Sequence, residues 1–175
     1  MVEHEIMRSP YCAGSVRRYH TWPVNREQTV ADHSFHVLRL YWTLFGSVPP
    51  EVTEYIIWHD MGELWTGDSP YPLKRNNPEL KDKLDLIEME GVLAMGGAVS
   101  DLTTDQKKRI KVCDYVEMLE YALHEVNLGN QYAMVVLWRI WSVLCDILPH
   151  ASTLEMTQSG RRYFDRLTER VNELK

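Results

Sequence analysis

The sequence predicts an all-α fold, and three observations carry that prediction. Hydrophobic residues recur at helical rather than alternating spacing along almost the whole chain. Glycine and proline gather in a few short stretches instead of recurring at strand-and-turn intervals. The composition, 45% hydrophobic and 25% charged over 175 residues, is that of an ordinary globular chain with enough length for one real core. One helical bundle over residues 1–175 is the expected organisation.

Taken in order, a first helix is expected within residues 2–18, ended by the Thr-Trp-Pro at 21–23. Thr29 to Phe45 reads as the second, with Val30, Phe35, Val37, Leu38, Tyr41 and Leu44 as its apolar positions and Gly46 and Pro49-Pro50 as its stop. Glu51 to Leu64 is the third. TGDSPYP (66–72) holds two prolines, a glycine and an Asp-Ser pair, which makes it a loop. Further helices are expected at about 78–95, 104–127, 130–148 and 153–173, separated by GGAVSD, NLGN and LPHAS. Tyr132 to Leu148 is apolar nearly all round and predicts a central helix or an oligomer face. The methionines and tryptophans read mostly as packing residues.

Nineteen Lys plus Arg against 25 Asp plus Glu leave a net charge of −6, which argues against a general grip on nucleic acid. Cys12, Cys113 and Cys145 are widely spaced and form no CxxC pair, so neither a disulfide framework nor a thiolate metal site is expected, and a reducing cytoplasm suits them. No apolar run approaches the length of a membrane span, and no export or anchoring segment is read at the N-terminus.

The residues that carry chemistry are His33, the adjacent His59-Asp60, and Asp114, each on a different expected helix. His59 and Asp60 lie in YIIWHDMGE and Asp114 in RIKVCDYVEML, apolar contexts in which a polar side chain is costly to bury without a strong partner such as a cation. Two imidazoles and two carboxylates suit Mn²⁺, Fe²⁺, Co²⁺ or Zn²⁺ and leave room for water and substrate. Glu63, three and four residues beyond the pair, is expected about one turn away on the same helix face. Arg17, Arg18, Lys74, Arg75, Lys107, Lys108, Arg109 and Lys111 flank these positions and would draw a polyphosphate into a cleft.

The blocks RRYHTWP, QTVADHSFHV, WHDMGELWTGDSPYPLK and KVCDYVEMLEY with a trailing LGN occur in order from about residue 17 to 130. In this the chain resembles the HD-domain phosphohydrolases, all-helical enzymes defined by H…HD…D. The HDxxExxTGDxPxPxK block is similar to the 5′-deoxynucleotidase branch and to the short phage enzymes that cleave dATP to deoxyadenosine and triphosphate, found in viruses that replace adenine by 2-aminoadenine. The resemblance implies that His33, His59, Asp60 and Asp114 bind a divalent metal, Zn²⁺, Co²⁺ or Mn²⁺ with Mg²⁺ as a further option. It implies catalytic roles for Glu63 and Asp68. Arg18 and Tyr19 match a pair that contacts phosphate and sugar, with the aromatic crowding the ribose 2′ position, and Lys74 and Lys111 match lysines that hold phosphates.

The reaction so implied is in-line attack of an activated water on the α-phosphorus of dATP, with Glu63 moving the proton and the cation and basic residues meeting the developing charge. Adenine preference requires an apolar wall at purine C2, for which Tyr19, Thr21, Trp22, Val24 and Pro72 are the candidates. A 5′-deoxynucleotidase shares every metal ligand and is the alternative; a non-catalytic nucleotide-binding module is a third reading. His36 lies outside the pattern. The resemblance also implies a homo-oligomer, a dimer or a hexamer, with a small deoxynucleotide as partner and neither nucleic acid nor membrane.

Overall fold

Threonine and aspartate three residues apart announce the first long helix. Thr29 and Asp32 cap each other, the Asp32 carboxylate accepting from the Thr29 N–H (3.0 Å) while the Thr29 hydroxyl accepts from the Asp32 N–H (3.2 Å). In the computed structural model, residues 9–98, 100–151 and 155–174 are described, those at 148–151 by backbone alone. The elements are α1 (Pro10–Gly14), β1 (Arg17–Arg18), β2 (Gln28–Thr29), α2 (Val30–Phe45), α3 (Pro50–Trp58), α4 (Glu63–Thr66), α5 (Tyr71–Asn76), α6 (Pro78–Ala94), α7 (Thr104–Asn127), α8 (Ala133–Ala151) and α9 (Gln158–Asn172). The all-α expectation holds, with one small antiparallel ribbon in which Arg17 pairs with Thr29 and Arg18 with Gln28.

The described residues form two compact units, one drawn from residues 9–35 and 54–101 and the other from residues 36–53 and 102–174. The first is built around Ala13, Val30, Met61 and Val92, with Val16, Trp58, Leu64 and Met95 against them. Glycines let its backbones approach closely. A Cβ on Gly62 would stand 2.3 Å from the Glu88 carbonyl oxygen, and one on Gly91 2.5 Å from the Trp65 ring. Gly62 thereby seats the chain segment between His59 and Glu63 on α6.

The second unit centres on α7 packed against α8. Its buried residues include Val116, Leu119, Leu123, Leu137 and Leu144. A capping box starts α7 at the expected residue, Thr103 and Gln106 satisfying each other's N–H groups. LGN ends it: Gly129 adopts φ 86° and the Asn130 N–H returns to the Glu125 carbonyl at 3.0 Å. Thr157 caps α9 through the Gly160 N–H (2.9 Å) and donates its hydroxyl to the Thr43 carbonyl (2.9 Å).

Several boundaries differ from the sequence reading. The expected third helix stops at Trp58, and a tight turn leads into the short α4, because Gly62 must meet the Glu88 backbone and cannot stay in register with α3. The 66–72 loop is confined to 67–70, since Tyr71-Pro72 starts α5 with proline at a position that needs no N–H. The expected first helix is represented by Pro10–Gly14 and gives way to β1; residues 2–8 lie outside the described residues. α8 begins at Ala133 and runs on through Pro149, and α9 begins at Gln158, with 152–154 outside the described residues. Phe35 is exposed rather than core-facing, and none of the six tryptophans is fully buried. α8 is central on the face carrying Ala133, Leu137, Ile140 and Leu144, whereas Val135 is exposed.

Because the Gly62 contact involves main chain on both sides, Gly62→Ala is expected to destabilise the protein by at least about 2 kcal/mol. Urea unfolding of the two proteins checks this, and unchanged midpoints would contradict it.

Candidate metal centre

The site begins with three side chains on three neighbouring pieces of backbone. His33 sits in the first turns of α2, wholly buried. His59 follows the last residue of α3 and still closes a helical bond to the Tyr55 carbonyl at 2.8 Å. Asp60 opens the turn, and the Glu63 N–H returns to its carbonyl at 3.0 Å. One ligand atom from each of His33, His59 and Asp60 lies within 4.8 Å of the other two.

A single oxygen is the focus. Asp60 Oδ2 lies 3.6 Å from His33 Nε2, 3.4 Å from His59 Nε2 and 2.7 Å from Arg18 Nη1. Tetrahedral coordination with bonds of about 2.1 Å places neighbouring donors about 3.4 Å apart, so each imidazole nitrogen already stands near ligand spacing from the carboxylate oxygen. His59 Nδ1 is 2.8 Å from the Ile56 carbonyl oxygen, which can only accept, so Nδ1 donates there and Nε2 is the nitrogen left to a cation whenever the ring is neutral. The Tyr55 ring stacks on His59 at 5.8 Å. Nitrogen and oxygen donors without thiolate fit a divalent cation of the zinc, cobalt or manganese kind.

Electrostatics separate the carboxylates. Burial pushes the Asp60 carboxyl up, but the positive charge of His59, Arg18, His33 and Lys74 outweighs it and holds the group well below the usual carboxylate range. Glu63, the first residue of α4, is buried, and its Oε2 has no hydrogen-bond partner among the described residues. Burial, then the charges of Asp60 and Asp68, push its carboxyl up to about 9. The site pairs an ionised carboxylate with one that keeps its proton at neutral pH in the metal-free protein.

Asp68 does something the sequence did not suggest. Its Oδ2 accepts the Tyr19 main-chain N–H at 2.8 Å, and Tyr19 is the one non-glycine residue with positive φ (57°) among the described residues. That left-handed backbone is costly for an aromatic residue, and the carboxylate helps to hold it. Arg18 is fixed on one side by β1 and on the other by Asp60, with its guanidinium 5.7 Å from the Tyr19 ring. Lys74 donates to Glu88 Oε1 at 3.3 Å, the oxygen that also accepts the Thr66 hydroxyl at 2.7 Å. Thr66, Glu88, Tyr55 and the Ile56 carbonyl were not singled out from the sequence. Their roles follow from a helix end and a helix-to-helix approach that leave no spacing signal.

The remaining candidates are not members of this cluster. Asp114 and Lys111 are placed by α7 in the second unit, where Lys111 Nζ is 2.8 Å from Asp114 Oδ2 and 4.5 Å from the Tyr115 ring. The trio is formed from first-unit residues alone. Thr21, Trp22 and Pro72 are exposed and Val24 is half-buried.

The HD-domain pattern matches residues 15–125, well over half of the chain and inclusive of every candidate position. The chain belongs to the HD-domain family. A dATP triphosphohydrolase from Salmonella phage PMBT28 is 27% identical over 194 residues, covering 89% of this chain and 93% of the relative. A second dATP triphosphohydrolase, from Cyanophage S-2L, is 28% identical over 111 residues, 60% of this chain and 62% of that protein. Among solved structures, the HD phosphohydrolase DatZ of Cyanophage S-2L, bound to dA and one catalytic Zn²⁺ ion, superposes with a TM-score of 0.65 at 19% identity over 96% of both chains. An HD-domain phosphohydrolase from Listeria innocua gives 0.56 at 19% identity over 99% of both. At those identities the likeness to the two structures is one of fold.

A carboxyl whose folded pKa lies above its unfolded value favours folding below the unfolded value and loses that contribution as pH rises towards the folded one. For Glu63 the window is about 4.5 to 9. Chelator-treated protein is therefore expected to lose stability with rising pH across that window, and Glu63→Gln to lose less. Thermal melts at pH 5 to 9 read the difference; parallel pH profiles would contradict it.

Proposed function

We propose that the protein is a metal-dependent dATP triphosphohydrolase that cleaves dATP with water to deoxyadenosine and triphosphate. The observation that carries this reading is the His33–His59–Asp60 group at ligand spacing with Glu63 buried beside it, in a chain whose relative over almost its full length is a dATP triphosphohydrolase. Zn²⁺, the ion bound by the cyanophage phosphohydrolase, suits the donor set, as do Co²⁺ and Mn²⁺. A cation held by these residues supplies Lewis acidity at the α-phosphoryl group.

The chain's own residues supply the rest. Asp60 stays ionised and offers its Oδ2 as a ligand, while the Ile56 carbonyl fixes His59 with its Nε2 turned to the same place. Arg18 presents a guanidinium beside that oxygen, suited to meet phosphoryl charge. Glu63, protonated in the metal-free protein, can give a proton to the leaving deoxyadenosine 5′ oxygen and take one from the attacking water, so that its own protonation is restored. Asp68 serves by fixing the Tyr19 backbone, and Tyr19, Thr21, Trp22 and Pro72 are proposed to contact the nucleoside. Asp114 as a fourth ligand and Lys111 as a phosphate contact rest on the family pattern in the sequence. The reading extends to one domain over residues 1–175, a homo-oligomer, and action on the free nucleotide in the cytoplasm, that of the host if the source is a virus, where it would deplete dATP. No helix among the described residues is long and apolar enough to cross a membrane.

One observation favours the monophosphate alternative. Lys74 is engaged by Glu88 and Lys111 by Asp114, so both lysines that would grip distal phosphates are held by carboxylates. Phosphorus NMR on zinc-loaded protein separates the readings. Triphosphate released from dATP and not from dGTP is expected, whereas orthophosphate from dAMP with triphosphates untouched would make the protein a 5′-deoxynucleotidase. His59→Ala and Asp60→Ala proteins that fold are expected to lose at least about a thousandfold in kcat/KM, worth about 4 kcal/mol of transition-state stabilisation. Retained activity would overturn the site.

A further inference from the structure

α6 is the least covered long helix among the described residues. Towards its own chain it presents Glu88, Gly91 and Val92, which meet Lys74 and Thr66, the Trp65 ring, and the Ala13–Val30–Met61 core. On the opposite face Leu86, Met89 and Leu93 are 50%, 41% and 51% exposed. Their spacing of three and four residues is that of a packing seam. Glu79 and Asp82 close the seam towards the start of the helix. A solvated helix does not ordinarily carry three large apolar side chains on its outer face.

The charges beside the seam say what fits it. Lys83 and Glu90 lie one heptad apart on the same flank, and neither has an ion pair among the described residues, whereas neighbouring Lys81 is paired with Asp85. In an antiparallel pair of identical helices, the flank position of one heptad faces the same flank position of the other. A second α6 running antiparallel would set Leu86 against the partner's Met89 and Lys83 against the partner's Glu90, and the two-fold axis repeats both contacts. A parallel pair would leave that charge match unused. We propose that the Leu86–Met89–Leu93 face of α6 docks the same face of a second copy of this chain, two-fold and antiparallel, with reciprocal Lys83–Glu90 ion pairs. This rests on the homo-oligomer part of the reading above and is independent of its hydrolytic part.

Sedimentation velocity and light scattering on the full-length protein test it. Wild type is expected at an even multiple of 20.5 kDa. Leu86→Glu is expected to halve that mass or reduce it further, with the far-ultraviolet circular dichroism unchanged. Lys83→Glu and Glu90→Lys, at positions exposed in the single chain, are each expected to weaken association at least about tenfold. The doubly swapped Lys83→Glu/Glu90→Lys protein is expected to regain it, because the pairing is reciprocal. Should Leu86→Glu fail to fold, the charge swap decides alone. A monomeric wild type overturns both the surface and the homo-oligomer. An oligomer whose mass survives Leu86→Glu, or single charge variants that associate like wild type, overturns the surface only. Loss of dATP hydrolysis with the mass intact would touch the functional reading and leave this surface standing.

Discussion

The arrangement of the first unit depends on one carboxylate oxygen. Asp60 Oδ2 is approached by two imidazoles and a guanidinium, and each comes from a different stretch of chain. A mostly buried oxyanion demands that company, because an isolated charge there would cost several kcal/mol. The reciprocal Thr29–Asp32 cap fixes where α2 starts and so where His33 falls. The end of α3 fixes His59, and the ribbon fixes Arg18. Three local devices, each ordinary alone, converge on one atom.

That convergence explains why Glu63 behaves oppositely to Asp60 three residues away. Arg18 lies against Asp60 and counts among its main sources of positive charge, whereas for Glu63 burial and two neighbouring carboxylates outweigh the same arginine. The helix break between them is the structural cause. In a continuous α3 the two would stack on one face, but the turn at 59–62 puts Glu63 into its own short helix, beneath which Gly62 lies on the α6 backbone. α6 thus serves the site from below with Gly91 and Glu88 while turning leucines outward. Its two faces do different work.

Much of this was legible in the sequence because it rests on spacing. Helical periodicity gave the fold class, Thr103 and Gln106 the start of α7, and LGN its end. His33, His59 and Asp60 were readable as polar residues in apolar surroundings, and the structure brings their ligand atoms together. What escaped was set by contact between distant segments. A two-residue ribbon leaves no alternation to detect, so the element that places Arg18 was missed. The end of α3 at Trp58 follows from Gly62 meeting Glu88, a close approach that YIIWHDMGE does not announce. The motif reads Asp68 as a catalytic carboxylate, and its hydrogen bond to the strained Tyr19 backbone is a further contact that no spacing rule encodes.

The central claim is that His33, His59 and Asp60 hold one divalent cation. Anomalous diffraction at the zinc edge from crystals of zinc-loaded protein tests it most directly. The account predicts a single strong peak about 2.0–2.2 Å from His33 Nε2, His59 Nε2 and Asp60 Oδ2, with Arg18 outside the coordination sphere. A fully loaded crystal with no peak there, or with its ion bound by other residues while these three keep their present contacts, would contradict it.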